Sequence, residues 1–339
     1  MIYKEFRGYR LSEIGIGTYL GNSDDKTDHG YYETIKKGLE SGINVVDTAI
    51  NYRNMRSEIV IGKVLSEVER ESVVVSTKGG YVAVPYNIGK DATTWFKEEL
   101  VSTGIVSPKD ITDTGNILTP KYIDWAFERS LKNLNTDYID VYFLHNPEDQ
   151  LLKFDREQFY KKIWTVFRLL EGKVNEGKLR FYGLATWNGF RVPEEHQQYL
   201  NLKEIFDIAR EVGGENHHFR FIQLPYNIAM LEAFNLKNQS VEGKKVSTLE
   251  AAEILGIYTY ISAPLMQKRL IRPVHPEVLQ RFKVEKFSHI PLQFVRSTPG
   301  VGTVLIGMSK VEHLIENIEI EEKEKLTEEE LLSLFNKKG

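Results

Sequence analysis

The sequence contains no cysteine among its 339 residues. This absence excludes disulfide bonds, cysteine-ligated zinc, iron–sulfur clusters and thiol nucleophiles. Residues 1–7 lack the apolar core of a secretory signal, and a chain without cysteine suits a reducing compartment, so we expect a cytoplasmic protein.

A strong excess of charge and a long apolar run are also missing. Lys and Arg total 44, Asp and Glu total 48, and the formal net charge is −4. Nucleic acids and anionic membranes are bound by clustered basic charge, and a membrane span needs roughly 18 consecutive apolar residues. The adjacent pair His217 and His218 cannot chelate one metal ion as a helical pair would. We therefore expect a small-molecule ligand without nucleic acid, membrane or metal, and the oligomeric state stays open.

What the sequence does have is a regular alternation of short apolar runs and longer amphipathic stretches. An opening hairpin is predicted over residues 2–11. Eight strand-like runs follow, at residues 14–17, 44–47, 73–77, 138–144, 180–185, 221–224, 258–262 and 303–306. Helical patterns lie between or after them, at residues 31–41, 57–69, 122–134, 157–176, 202–212, 248–255, 290–297 and 311–318. This alternation predicts a single α/β domain over residues 1–339, a (β/α)8 TIM barrel.

A doubly wound parallel sheet is the competing fold. That fold carries a glycine-rich dinucleotide fingerprint in its first strand-to-helix turn. The turn here, residues 15–21, has three glycines with the wrong spacing, and the next helix is expected only near Gly30. The sequence therefore favours the barrel.

Two connections are too long for a plain barrel. Residues 79–119 follow the third strand and residues 225–246 follow the sixth, both on the side where barrel enzymes build their sites. We expect these loops to cap a pocket, because long ordered loops there are commonly functional. The apolar residues within 319–339 predict a terminal helix packed on the barrel.

Polar side chains end three successive predicted strands. Asp47 ends the second, Lys78 the third and His145 the fourth, and Tyr52 follows Asp47 closely. Each has an ordinary structural interpretation as a turn cap, a solvated lysine or a satisfied histidine. Because neighbouring strands lie roughly 5 Å apart, the set is expected to converge on one spot.

Such a set suits carbonyl chemistry. A buried lysine is tolerated beside an aspartate, and its charge is expected to lower the pKa of Tyr52 toward working pH. Tyr52 would then act as a general acid on a carbonyl oxygen, with His145 as a second hydrogen-bond donor. No side chain is a hydride source, so reduction needs a bound nicotinamide.

These motifs resemble those of the aldo-keto reductases, NAD(P)(H)-dependent barrels, over nearly the whole chain. The matching stretches are Gly15-Ile16-Gly17-Thr18, Asp47-Thr48-Ala49-Ile50-Asn51-Tyr52, Ser76-Thr77-Lys78-Gly79-Gly80, Leu144-His145-Asn146-Pro147, Ile222-Gln223-Leu224-Pro225-Tyr226-Asn227 and Ile306-Gly307-Met308-Ser309 with Glu316-Asn317. The resemblance implies a catalytic tetrad of Asp47, Tyr52, Lys78 and His145. It also implies reduction of aldehydes or ketones to alcohols by NADPH, with Tyr52 as proton donor.

The resemblance also implies where the cofactor binds. Thr186 and Gln223 fall where the carboxamide is held, although the family often has Ser-Asn where this chain has Ala185 and Thr186. Many members have a tyrosine stacked on the nicotinamide where this chain offers Ile261 or Ser262. Lys310 suits a 2′-phosphate, which favours NADP(H) while NAD(H) stays open. The full set of expected contacts is Gly17, Thr18, Asp47, Thr186, Gln223, Ser262, Leu265, Gln267, Gly307, Ser309, Lys310, His313, Glu316 and Asn317.

Aromatic residues in the loops are candidates for the substrate pocket, with loop anchoring as an equal alternative. They are Tyr19, Tyr86, Trp95 and Trp187. Two other functions stay open: a nicotinamide-binding regulatory subunit with little turnover, and a Schiff-base aldolase using Lys78. Asp47 would keep Lys78 charged and unreactive, which argues against the aldolase.

Overall fold

The computed structural model describes residues 1–335, in which a closed parallel barrel is surrounded by helices. The strands in chain order are β1 (Tyr3–Phe6), β2 (Tyr9–Ser12), β3 (Ile14–Gly17), β4 (Val45–Asp47), β5 (Val74–Gly79), β6 (Ile139–His145), β7 (Leu179–Ala185), β8 (Phe219–Pro225), β9 (Gln239–Val241), β10 (Lys244–Val246), β11 (Tyr258–Ser262) and β12 (Thr303–Gly307). The barrel order is β3-β4-β5-β6-β7-β8-β11-β12, closing back on β3, and the other four strands form two antiparallel hairpins. The predicted barrel and opening hairpin are thus confirmed.

The helices lie outside the barrel and in its loops. They are α1 (Asp25–Glu40), α2 (Arg56–Leu65), α3 (Ala92–Phe96), α4 (Pro120–Leu134), α5 (Arg156–Asn175), α6 (Leu202–Gly213), α7 (Glu232–Asn235), α8 (Thr248–Ile254), α9 (Pro276–Arg281), α10 (Ile290–Arg296), α11 (Val311–Ile318) and α12 (Glu328–Ser333). α1 begins earlier than its apolar pattern predicts, because Asp24 accepts a hydrogen bond from the Thr27 amide at 2.8 Å and caps a polar first turn.

The opening hairpin closes the amino-terminal end of the barrel. Its turn uses Arg7 and Gly8, both with positive φ, as a tight two-residue turn requires. Phe6 packs edge-on against Phe221 at 5.4 Å between ring centroids, and Leu11 is fully buried. With this end filled, the carboxyl ends of the strands provide the open face.

Three long connections lie at that open face, one more than the sequence predicts. Residues 79–119 hold α3, and residues 225–246 hold α7 with the β9–β10 hairpin. The third, residues 263–289, follows β11 and holds α9. The last described helix is α12, where Leu331 is buried, and residues 336–339 of the predicted tail lie outside the described residues.

Candidate functional site

The structure brings the four predicted catalytic side chains together at the open face of the barrel. The Lys78 ammonium donates to Asp47 Oδ2 at 2.6 Å and to the Thr48 carbonyl at 2.7 Å. Its Nζ lies 3.4 Å from the Tyr52 hydroxyl. The Tyr52 ring lies edge-on to the His145 ring, with centroids 5.8 Å apart. The chain order of the strands explains this convergence, because β4, β5 and β6 are neighbours in the barrel.

Asp47 is fixed from two further sides. Its Oδ1 accepts hydrogen bonds from the Ser76 hydroxyl at 2.6 Å and from Gln223 Nε2 at 2.9 Å. Asp47 is 4% exposed and Lys78 is fully buried. A buried charge of either sign alone would be costly, so the pair and its hydrogen bonds hold each other in place.

The titration properties differ in one respect from the sequence expectation. Burial raises the pKa of Tyr52 well above its usual value, and the Asp47 carboxylate and Tyr19 add to this. The expectation of a lowered Tyr52 pKa is therefore wrong, because burial, Asp47 and Tyr19 all shift this pKa upward. Burial lowers the pKa of Lys78, and Asp47 opposes that shift. Burial and the nearby Lys78 charge lower the pKa of His145 well below its usual value, so its imidazole is neutral.

Tyr81 is a neighbour of His145 that the sequence patterns did not single out. Its ring lies edge-on to His145 at 5.0 Å, and its hydroxyl donates to Asp149 Oδ2 at 2.7 Å. His145 is therefore packed between two tyrosines, Tyr52 and Tyr81. The sequence feature that could have pointed to Tyr81 is its position, three residues after Lys78 and at the start of a loop expected to cap the pocket.

A cavity of about 870 Å³ opens above these residues. Its lining includes most of the predicted site residues: Gly17, Thr18, Tyr19, Asp47, Tyr52, His145, Thr186, Trp187, Gln223, Ser262, Leu265, Gln267, Gly307, His313, Glu316 and Asn317. Lys78 lies beneath the lining and reaches the site through Asp47 and Tyr52.

Two predicted pocket aromatics lie elsewhere. Trp95 is 9% exposed and packs on Trp125 with ring centroids 6.3 Å apart. Tyr86 is exposed, with the Arg56 guanidinium 4.2 Å from its ring centroid. Neither residue lines the cavity, in contrast to their predicted place in the substrate pocket. Each anchors its loop to an outer helix instead, Trp95 to α4 and Tyr86 to α2.

Ser309 and Lys310 also lie outside the cavity lining. They form the turn before α11, and a Cβ at Gly30 would lie 2.5 Å from the Ser309 carbonyl oxygen. α1 therefore packs directly against this turn. Lys310 is exposed, and its charge contributes to the lowered pKa of His313.

The connection 263–289 forms one wall of the cavity. Ala263, Met266, Gln267 and Lys268 all have φ between 42° and 71°, a left-handed backbone that is strained for these residue types. Lys268 and Arg269 line the cavity. Burial lowers the pKa of His313, and the charges of Lys268 and Lys310 add to this. Lys268 and Arg269 are not among the site residues predicted from the sequence, although two adjacent basic residues in the connection after β11 were a signal for them.

Of the side chains expected to contact the nicotinamide end of the cofactor, some already have hydrogen-bond partners within the protein and one does not. The Thr18 hydroxyl donates to the Asp47 carbonyl at 3.1 Å, and the Gln223 amide group is used on Asp47. The Thr186 hydroxyl is buried at the cavity wall and has no hydrogen-bond partner within residues 1–335. A buried polar group without a partner is costly, so Thr186 is suited to a polar ligand group.

Within residues 1–335, no helix is long and apolar enough to span a bilayer. Across the same residues, no three or more His, Asp or Glu side chains are grouped so as to hold a metal ion.

The model of the Aldo/keto reductase family matches residues 13–209, which include Asp47, Tyr52, Lys78 and His145. The chain belongs to this family. The aldo/keto reductase family is a family of oxidoreductases, and its match covers more than half of the chain.

Similar proteins span nearly the whole length. An uncharacterized oxidoreductase, YqkF of Bacillus subtilis, is 24% identical over 328 residues, covering 96% of this chain and 92% of the relative. A putative voltage-gated potassium channel subunit beta of Schizosaccharomyces pombe is 24% identical over 343 residues, covering 95% and 88%. A crystal structure of an aldo-keto reductase from Klebsiella pneumoniae in complex with NADPH has a TM-score of 0.64 at 20% identity, covering 98% and 94%. At that identity the structural likeness concerns the fold.

Proposed function

We propose that this protein reduces aldehyde or ketone carbonyls to alcohols with NADPH, and that Tyr52 is the proton donor. The observation that carries the proposal is the joining of Asp47, Lys78 and Tyr52 in one hydrogen-bonded set beside a neutral His145, below a large cavity. The NADPH complex of a similar fold supports the choice of cofactor.

Each side chain has a physical role in this proposal. Tyr52 is protonated at neutral pH because its pKa is raised, so it can donate its hydroxyl proton to a carbonyl oxygen. Neutral His145 orients the same oxygen by a second hydrogen bond. The Lys78 ammonium stabilises the phenolate that Tyr52 leaves behind, and Asp47 holds Lys78 in position.

The residues present fit a phosphorylated nicotinamide cofactor. Thr186 offers the unpaired buried hydroxyl to the carboxamide, and Lys268 and Arg269 place positive charge on the cavity wall formed by residues 263–289. The chemistry that a bound nicotinamide supplies is a hydride for the carbonyl carbon. Lys268 and Arg269 suit a 2′-phosphate, which favours NADPH over NADH.

The test is consumption of NADPH with a panel of aldehydes and ketones. Tyr52→Phe should bind NADPH as the parent does but reduce carbonyls about 10²–10⁴-fold more slowly, since it lacks the donated proton. Turnover by Tyr52→Phe at the parent rate would overturn the assignment of the acid.

A second candidate is a nicotinamide-sensing regulatory subunit, and the similarity to a putative potassium channel subunit beta favours it. Tight NADPH binding without turnover of any carbonyl, together with a stable protein partner, would support this candidate. The aldolase alternative is disfavoured because Lys78 is fully buried and its Nζ already contacts Asp47, Thr48 and Tyr52.

A further inference from the structure

Glu148 lies three residues after His145 and is fully buried. Its Oε1 accepts hydrogen bonds from three successive backbone amides: Trp187 at 2.7 Å, Asn188 at 2.9 Å and Gly189 at 3.3 Å. Successive amides that converge on one anion form a nest, an arrangement that favours negative charge. The turn after β7 is therefore wrapped around the Glu148 carboxylate.

The same turn supplies part of the cavity wall. Thr186 and Trp187 both line the cavity, and Trp187 is 48% exposed. The Thr186 amide donates to the Gln223 carbonyl at 2.8 Å, which ties the start of the turn to β8. The amides held by Glu148 follow directly, so their position decides where the Thr186 hydroxyl and the Trp187 indole lie.

Other charged groups support this turn from its remaining sides. Arg191 donates from Nε to the Trp187 carbonyl at 3.0 Å and pairs with Glu232 of α7 at 2.8 Å. Asp149 accepts from Gln198, whose carbonyl oxygen in turn accepts from the Asn188 side chain. Asp149 also accepts from the Tyr81 hydroxyl, and the Glu148 carboxylate adds to the raised pKa of Tyr81. Glu232 therefore links residues 225–246 to this turn through Arg191.

Burial of the Glu148 carboxylate is energetically unfavourable. Oε2 of Glu148 is buried and has no hydrogen-bond partner within residues 1–335. Burial raises the pKa of Glu148 to about 7, and the backbone amides only partly oppose that rise. A neutral side chain would fill the same space without this cost, so packing alone does not account for a carboxylate at this position.

We propose that Glu148 is a positioning residue, which holds the Trp187–Gly189 amides and thereby fixes Thr186 and Trp187 for ligand binding at the cavity. The ligand named here, NADPH, rests on the proposed function. While the Glu148 carboxyl stays buried, the amides bind its charged form more strongly than its neutral form, so the turn is held best when Glu148 is ionised. This local effect is separate from unfolding of the whole chain, in which the carboxyl becomes solvated and ionisation disfavours the folded state. Ligand binding should then tighten as the pH rises through about 7.

The first measurement needs no ligand. Emission from Trp187, identified by comparison with Trp187→Phe, is followed against pH. The parent should show a transition centred near pH 7, and Glu148→Gln should lack it. The matched control is Glu171→Gln, because Glu171 also accepts a backbone amide, from His218 at 2.8 Å, but at the opposite end of the barrel. Glu171→Gln should keep the transition, and an identical transition in Glu148→Gln would overturn the proposal.

The second measurement is the Kd of NADPH well below and well above that pH. The parent should bind several-fold more tightly at the higher pH. The 2′-phosphate of NADPH titrates in the same region, with a pKa of about 6, but it does so in every variant. The difference between parent and Glu148→Gln therefore isolates Glu148, and equal pH dependences would count against it.

Neither measurement requires turnover. A protein that passes both but reduces no carbonyl would refute the proposed function and leave the role of Glu148 standing. If Glu148→Gln does not fold, amide hydrogen exchange at Trp187, Asn188 and Gly189 in the parent replaces it. After correction for intrinsic exchange, protection should fall when the pH is lowered below about 7, and constant protection would refute the proposal.

Discussion

Removal of the Lys78 ammonium gives a direct energetic test of the site. In Lys78→Met the side chain keeps its length, but Asp47 loses the partner at 2.6 Å from its Oδ2. Asp47 is then a buried carboxylate with two hydrogen bonds left, from Ser76 and Gln223. Breaking a buried ion pair by removing one partner costs about 3–5 kcal/mol. The two remaining donors place the expected loss near the lower end, at about 3 kcal/mol.

The loss is measurable as a change in Tm. An unfolding entropy of about 2.1 cal/mol/K per residue gives about 0.7 kcal/mol/K for 339 residues. A loss of about 3 kcal/mol therefore lowers Tm by roughly 4 °C. Calorimetry without cofactor is the assay, since bound ligand would add its own stabilisation.

The control is the double variant Asp47→Asn with Lys78→Met, which removes both charges. Its loss of stability should be clearly smaller than the sum of the two single losses, because no uncompensated charge stays buried. An unchanged Tm for Lys78→Met, or strictly additive losses in the double variant, would refute the buried pair as described. Activity is not needed for this result, so it separates the structural role of Lys78 from its proposed role at Tyr52.

Three other outcomes are expected. Gly79→Ala should lower Tm because a Cβ there would lie 2.0 Å from the Tyr142 hydroxyl, which has no partner within residues 1–335. Adding Tyr142→Phe should recover much of the loss, and no recovery would contradict the packing. Lys268→Glu should raise the Kd of NADPH by about tenfold, or ~1.4 kcal/mol, and that of NADH by less; equal losses measured by titration would contradict a 2′-phosphate contact. The unfolded chain releases the Glu148 proton near its usual pKa of 4.5, whereas the folded protein keeps it up to about 7. The unfolding free energy of the parent relative to Glu148→Gln should thus fall by about 3 kcal/mol as the pH rises across that interval, and denaturant titrations that show a constant difference would refute this.

The part of the site that the sequence predicts is the part that depends on strand ends. A buried strand is a short apolar run, and the residue that follows it has a defined position on the open face of the barrel. For this reason the run at residues 73–77 sufficed to place Lys78 beside Asp47, and the next run placed His145. These contacts need only the order of the strands, which alternation with helices already determines.

Loop side chains could not be placed in this way. Trp95 and Trp187 are both aromatic residues in long connections, yet Trp95 packs inward on Trp125 while Trp187 faces the cavity. Their directions depend on partners distant in the chain and on left-handed backbone positions such as Met266, which composition does not reveal. Glu148 illustrates the same limit, because its three amide donors lie about 40 residues further along the chain.

The raised pKa of Tyr52 changes the role that Lys78 can have. A phenol with a lowered pKa would already be partly ionised before substrate binds, and an ionised Tyr52 cannot donate a proton. Burial and Asp47 instead keep Tyr52 protonated at neutral pH. In the proposed reduction, the Lys78 ammonium, 3.4 Å from the hydroxyl, contributes only as negative charge develops on the phenolate. Alcohol oxidation would require that phenolate at the start, so under the proposed function the arrangement suits reduction at neutral pH, and Asp47 contributes to this by holding Lys78 and opposing ionisation of Tyr52.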